Sequence, residues 1–206
     1  MEELNLKTGD IILCDYIGSG FFGLFSKLLK YFMGSKYTHI GMVLKDSTFI
    51  DPPLKGIYIW ESSWEGTPDP QDGKVKLGVQ ITPFETFCDM YSNGDMYIRR
   101  IECDGDLYKS IFNNEILNEI HGVVYNKPYD IVPTDWLEAY FRKDSHPQKT
   151  DRFWCSAFIG YIFNRLGLIS NKIDWGILRP IDFSTSCSGF NITLEQDIKL
   201  SKEEKF

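Results

Sequence analysis

Apolar and polar positions alternate with period two along several short runs, the spacing of half-buried strands, and with a period near 3.6 along others, the spacing of helices. After a Gly9-Asp10 turn, residues 11–14 read as a buried strand. A helix is predicted over 24–33, ended by Gly34 in the left-handed position past the last turn. Residues 38–44 form a strand that places His39, Gly41 and Val43 on one face, and 56–62 a strand that places Ile57, Ile59 and Glu61 on one face. The polar stretch 64–78, with Pro68, Pro70 and Gly73, reads as a mobile rim or surface loop, and 78–81 as a brief strand. Thr82-Pro83-Phe84-Glu85 then carries a cap, a proline at the first helical position and a glutamate three after the cap, so a helix runs to about Met90.

A further strand is predicted over 95–102, with Arg99-Arg100 wet on one side. Leu107, Ile111, Ile116, Leu117 and Ile120 mark one helical stripe, stopped by Gly122. Residues 125–130 form a loop, 134–142 a helix and 144–152 a polar linker. The apolar stripe Cys155, Phe158, Ile159, Ile162 and Leu166 lies on one helix closed by Gly167, with Asp151, Arg152 or Phe153 as its cap. Beyond it come turns and short strands, and the polar residues 201–206 form a frayed tail. Mixed strand and helix order of this kind predicts an α+β fold with an antiparallel sheet, one domain over 1–200.

Composition narrows the function classes. The chain has 206 residues, 43% of them hydrophobic and 15% aromatic, enough for one sizeable core. A formal net charge of −7 and the absence of a basic stripe exclude nucleic acid as the expected partner. No run of apolar residues is long enough to span a membrane, although 17–33 could rest on a lipid surface or cover a sheet. Five cysteines without a CxxC pair, together with the polar N-terminus, predict reduced thiols in a cytoplasmic protein without a signal peptide.

Three residues stand out chemically. Cys155 opens a helix, where backbone N–H groups and the dipole favour a thiolate, yet its apolar stripe equally suits a core cysteine. His39 sits beside Gly41 and Val43 on a strand face, a poor place for an imidazole without a partner. Glu61 ends an inward-facing apolar pattern, and a buried carboxylate requires a partner. Hydrogen-bonded to His39, Glu61 would orient the ring and leave the other nitrogen to take the Cys155 proton. A zinc site from His39, Cys155 and Glu61 would use acceptable ligands, but the spacing matches no short metal-binding signature, so neither metal nor organic cofactor is expected.

Read together, GDIILCD, YTHIGMVL, YIWESS, NKPYD and FWCSAFIGYIF, with LRPIDF after them, resemble the circularly permuted NlpC-type branch of the papain-like superfamily, in particular its YiiX-like and poxvirus-type proteins. The resemblance spans about residues 7–183. It implies a papain-like fold in permuted arrangement, a small antiparallel sheet packed against helices that include the cysteine helix. It also implies a thiol-dependent amidase or peptidase in which Cys155 is the nucleophile, His39 the base and Glu61 the orienting acid, working through a thioester. Tyr16, Tyr129 and Ser156 are the oxyanion or substrate-binding candidates. The substrate class implied is a small peptide, amide or lipid. Two alternatives stay open: a lipid acyltransferase or phospholipase using the same triad, and an inactive binding module on the same fold.

Overall fold

The computed structural model describes residues 4–16, 36–131, 149–187 and 192–206. The helices expected over 24–33 and 134–142 lie outside these residues. The frame is a six-stranded antiparallel sheet in the order β4-β3-β2-β1-β5-β8, built from β1 (Ile11–Asp15), β2 (His39–Lys45), β3 (Ile57–Ser63), β4 (Gly78–Pro83), β5 (Asp95–Arg99) and β8 (Glu204–Lys205). The hairpin-like sequence of β2, β3 and β4 runs outward from the central β1, so the polar groups of all three fall close together. A second, two-stranded sheet pairs β6 (Ile101–Glu102) with β7 (Lys199–Leu200). The α+β expectation with small antiparallel sheets holds.

The two faces of the large sheet bury different clusters. On one, Ile11, Leu13, Ile40, Met42, Trp60, Val79 and Ile81 pack with the helix Cys155–Arg165. On the other, Ile12, Cys14, Val43, Ile59 and Ile98 pack with Phe87 of the helix Phe84–Tyr91. We number the helices in chain order: α1 (Phe84–Tyr91), α2 (Gly105–Ile111), α3 (Asn114–Val124) and α4 (Cys155–Arg165).

Every residue of α4 from Cys155 to Phe163 is buried. Phe158 meets Trp60 edge to face, with 5.5 Å between ring centroids, and Gly160 lets the 3-10 turn Trp175–Ile177 approach. A Cβ at Gly160 would stand 2.7 Å from Leu178 Cδ1 and 3.0 Å from Trp175 Cβ. The cap of α4 is Trp154, whose side chain makes no capping bond, so Cys155 occupies the first helical position instead of lying deeper in the helix.

Four sequence expectations are corrected. The stripe from Leu107 to Ile120 is two helices, because the Asn113 side chain accepts the Ile116 amide and starts a new helix, which then runs through Gly122 to Val124. The strand expected over 95–102 breaks between Arg99 and Ile101. Arg99 is buried and donates to the carbonyls of Phe183, Leu200 and Ser201. The tail does not fray throughout, since Glu204–Lys205 pairs with β5.

The stretch between β3 and β4 is a fastened loop. Asp69, 2% exposed, accepts from Lys76 Nζ, Gln71 Nε2 and the Ile81 amide. Lys76 also reaches Asp72, which accepts from the Tyr125 hydroxyl, and His121 bonds Gln71. The loop is thereby bound to α3, which the polar composition of 64–78 does not reveal.

Candidate functional site

Strand parity selects the site. In β3 the side chains of Ile57, Ile59, Glu61 and Ser63 share one face, and β2 directs His39, Gly41 and Val43 to the same face. In β4 Gln80 pairs with Glu61 and Thr82 with Ile59, so both project on that face too. Gly41 has the space between them. A Cβ there would meet Ile59 Cγ2 at 2.4 Å and lie 3.6 Å from Glu61 Cβ, so the bare backbone allows β3 to bring Glu61 beside His39.

His39 Nε2 lies 2.6 Å from Glu61 Oε2. The other Glu61 oxygen, Oε1, accepts from Thr82 Oγ1 at 2.5 Å. Glu61 is 0% exposed and His39 5% exposed. The His39 ring stacks on Tyr91 at the C-terminal end of α1, 5.3 Å between centroids and 9° between planes, and Phe87 packs against it as well. Just past β3 the chain returns Glu65 to the same place. Its Oε1 accepts from Ser63 Oγ at 2.5 Å, while its Oε2 is buried and receives no hydrogen bond among the described residues. Donor atoms of His39, Glu61 and Glu65 all lie within 4.8 Å of one another.

Burial governs the electrostatics of the two acids. It raises the Glu61 carboxyl to about 8, against the hydrogen bond from Thr82 and the nearby Glu65 and Gln80 side chains, which favour the ionised form. Burial also raises Glu65 to about 7, helped by the charge of Glu61 and opposed by His39. Among the described residues no lysine or arginine pairs with either acid.

The residues expected to form one site fall into two groups. His39 and Glu61 lie together on the α1 face, and Tyr16 is near them through its ring contact with Tyr91, 6.1 Å between centroids. Cys155, Ser156 and Tyr129 lie with the other group. The Ser62 hydroxyl, on the opposite parity from Glu61, donates to the Phe153 carbonyl just ahead of α4, and α4 packs on that opposite face. The Ser156 hydroxyl donates to the Leu178 carbonyl at 2.7 Å, which the Trp154 indole also reaches. Burial and the neighbouring Cys155 and Asp130 push the Tyr129 hydroxyl up.

No family model matches the chain, and no curated protein matches it. Among solved structures it is similar to the crystal structure of metalloprotein yiiX from Escherichia coli O157:H7. The TM-score is 0.50 at 17% identity, over 96% of this chain and 97% of that one. The likeness shows a shared fold.

These findings correct the functional expectation. The groups that converge with His39 are two carboxylates, and Cys155 Sγ forms no hydrogen bond among the described residues. A Cys-His-Glu triad and its thioester chemistry therefore fall, and with them the cysteine amidase or peptidase, the lipid-acyl variant of the same triad, and membership of the papain-like thiol hydrolases. The physical reason is the sheet: its parity turns His39 and Glu61 toward α1, while α4 carries the thiol on the other face.

Glu65 was missed because its stretch has no periodicity from which a facing could be read. The Thr82-Pro83-Phe84-Glu85 pattern makes Thr82 a helix cap. In the structure β4 continues through Pro83, paired with Tyr58, which keeps the Thr82 hydroxyl in the sheet and aimed at Glu61. Among the described residues no helix is long and apolar enough to cross a membrane.

Proposed function

We propose that the chain is a metal-binding protein whose His39, Glu61 and Glu65 hold a divalent cation. The observation that carries this reading is the pairing of two buried acids, within 4.8 Å of each other and of an imidazole nitrogen, with no lysine or arginine among the described residues to offset them. Ionised carboxylates removed from water require a counter-charge, and an imidazole with two carboxylates is a ligand set for first-row divalent metals. The unsatisfied Glu65 Oε2 fits the same role. The description of the similar yiiX structure as a metalloprotein points the same way. Three protein ligands leave coordination positions open, so a bound ion would supply Lewis-acid activation of a water or a carbonyl oxygen. The protein's own contribution is to fix the ligands: Thr82 and Ser63 orient the acids, and Tyr91 and Phe87 hold the ring.

Thermal unfolding with and without Zn²⁺ tests the reading. An ion at 100 times its dissociation constant stabilises the folded state by about 2.7 kcal/mol, so Tm should rise and a chelator should reverse the rise. His39→Ala should abolish the response. An unchanged Tm for the wild type, or an equal rise in His39→Ala, would defeat the proposal.

A further inference from the structure

The way the two acids are held carries more than their number. Each spends one oxygen on a neighbouring hydroxyl: Glu61 Oε1 on Thr82, Glu65 Oε1 on Ser63. These hydroxyls come from the sheet itself, Thr82 from β4 and Ser63 from the last position of β3, and both residues are buried. A carboxylate engaged in this way directs its other oxygen, Oε2 in both residues, into the cluster. Glu61 Oε2 shares a 2.6 Å hydrogen bond with His39 Nε2, a contact that an ion bound between them would replace, and Glu65 Oε2 has no donor among the described residues.

Building on the metal-site reading, we infer that Ser63 and Thr82 are specificity-determining residues, which limit Glu61 and Glu65 to one ligand oxygen each and so select a small transition-metal dication over Ca²⁺. Calcium requires about six to eight oxygen ligands and often takes a carboxylate through both oxygens. A site that offers two single carboxylate oxygens and a nitrogen is poor in oxygen donors. It suits Zn²⁺ or Co²⁺, which accept imidazole and low coordination numbers. The hydroxyls are positioning residues that act through the carboxylates, and such outer partners typically change metal affinity by about 10- to 100-fold.

The test uses Co²⁺ as a spectroscopic probe on the full chain, with Ca²⁺ as competitor. Wild type should show the intense visible bands of low-coordinate Co²⁺, and millimolar Ca²⁺ should leave them unchanged. In the Ser63→Ala/Thr82→Val double variant the acids are free to use both oxygens. The Co²⁺ bands should weaken toward those of a higher-coordinate ion, and the preference for Co²⁺ over Ca²⁺ should fall by about tenfold or more. Thr82→Ser, which keeps the hydroxyl, should retain the wild-type spectrum, and circular dichroism identifies any variant that fails to fold. If the double variant does not fold, Thr82→Val alone is compared with Thr82→Ser. Wild type that binds Co²⁺ but is displaced equally well by Ca²⁺, or folded hydroxyl-deleted variants with unchanged spectrum and preference, would overturn the inference while leaving the metal site standing. Wild type that binds neither ion would overturn the metal site and this inference with it.

Discussion

Glu61 is completely buried, and its surroundings explain how a carboxylate is tolerated there. A hydroxyl and an imidazole nitrogen each bond one of its two oxygens, yet burial still raises its pKa to about 8. The residue that allows this arrangement is Gly41, which has no side chain to separate β3 from His39. Gly41→Ala places a methyl 2.4 Å from Ile59 Cγ2, a contact that has to be relieved by movement of β3. Overpacking of this kind costs about 1–3 kcal/mol, and urea unfolding should show it. The same displacement should weaken Zn²⁺ binding by more than an equally destabilising substitution on the α4 face. Equal binding at lower stability would show that Gly41 serves packing alone.

At the scale of elements, the loop between β3 and β4 decides where Glu65 sits, and α3 holds that loop. His121 of α3 bonds Gln71 at 2.7 Å and packs among the rings of Phe49, Trp60 and Tyr125. Burial lowers its pKa from the ordinary 6.5; the nearby Asp69 opposes the shift and Lys76 adds to it. A depressed histidine pKa means that the unfolded chain binds more protons near pH 6 than the folded one does. Stability from this group is therefore complete above about 6.5 and lost as pH falls through the folded value. Compared with His121→Gln, wild type should gain stability between pH 5 and pH 7.5. Parallel stability profiles for the two proteins would exclude this linkage. The loop illustrates the limit of sequence reading: Asp69, Asp72, Gln71 and Lys76 look like a solvated polar run, and only the approach of Tyr125 and His121 turns them into a fastening. By contrast, His39 and Glu61 were legible, because each interrupts an apolar alternation at an inward position.

For the whole molecule, the sheet was legible from its period-two strands, but the face on which each helix packs was not. Cys155 does stand at the start of a helix, and its apolar stripe is equally good packing against either face of a sheet. Burial of Trp60 against Phe158 places α4 opposite the His39 face, and no local pattern in 153–167 encodes that choice. Closure of the molecule at its other edge depends on Arg99, whose guanidinium joins β5 to the 3-10 turn Pro180–Phe183 and to residues 200 and 201. Arg99→Lys keeps the charge but loses the planar fork. Hydrogen bonds from charged groups are worth about 1.5–3 kcal/mol each, so the substitution should release the C-terminal segment first. Hydrogen exchange should accelerate for amides of 199–206 before the central strands are affected; uniform acceleration would show that the clasp is not local.

His39, Glu61 and Glu65 are proposed to form a metal centre of which the thiol of Cys155 is no part. The most direct measurement is the metal bound per chain after equilibration with Zn²⁺ and removal of free ion, for wild type, Glu61→Gln/Glu65→Gln and Cys155→Ser. The predicted result is one ion per chain in wild type and in Cys155→Ser, and none in the double glutamine variant. Retention of the ion by the glutamine variant, or its loss on Cys155→Ser alone, would contradict the account.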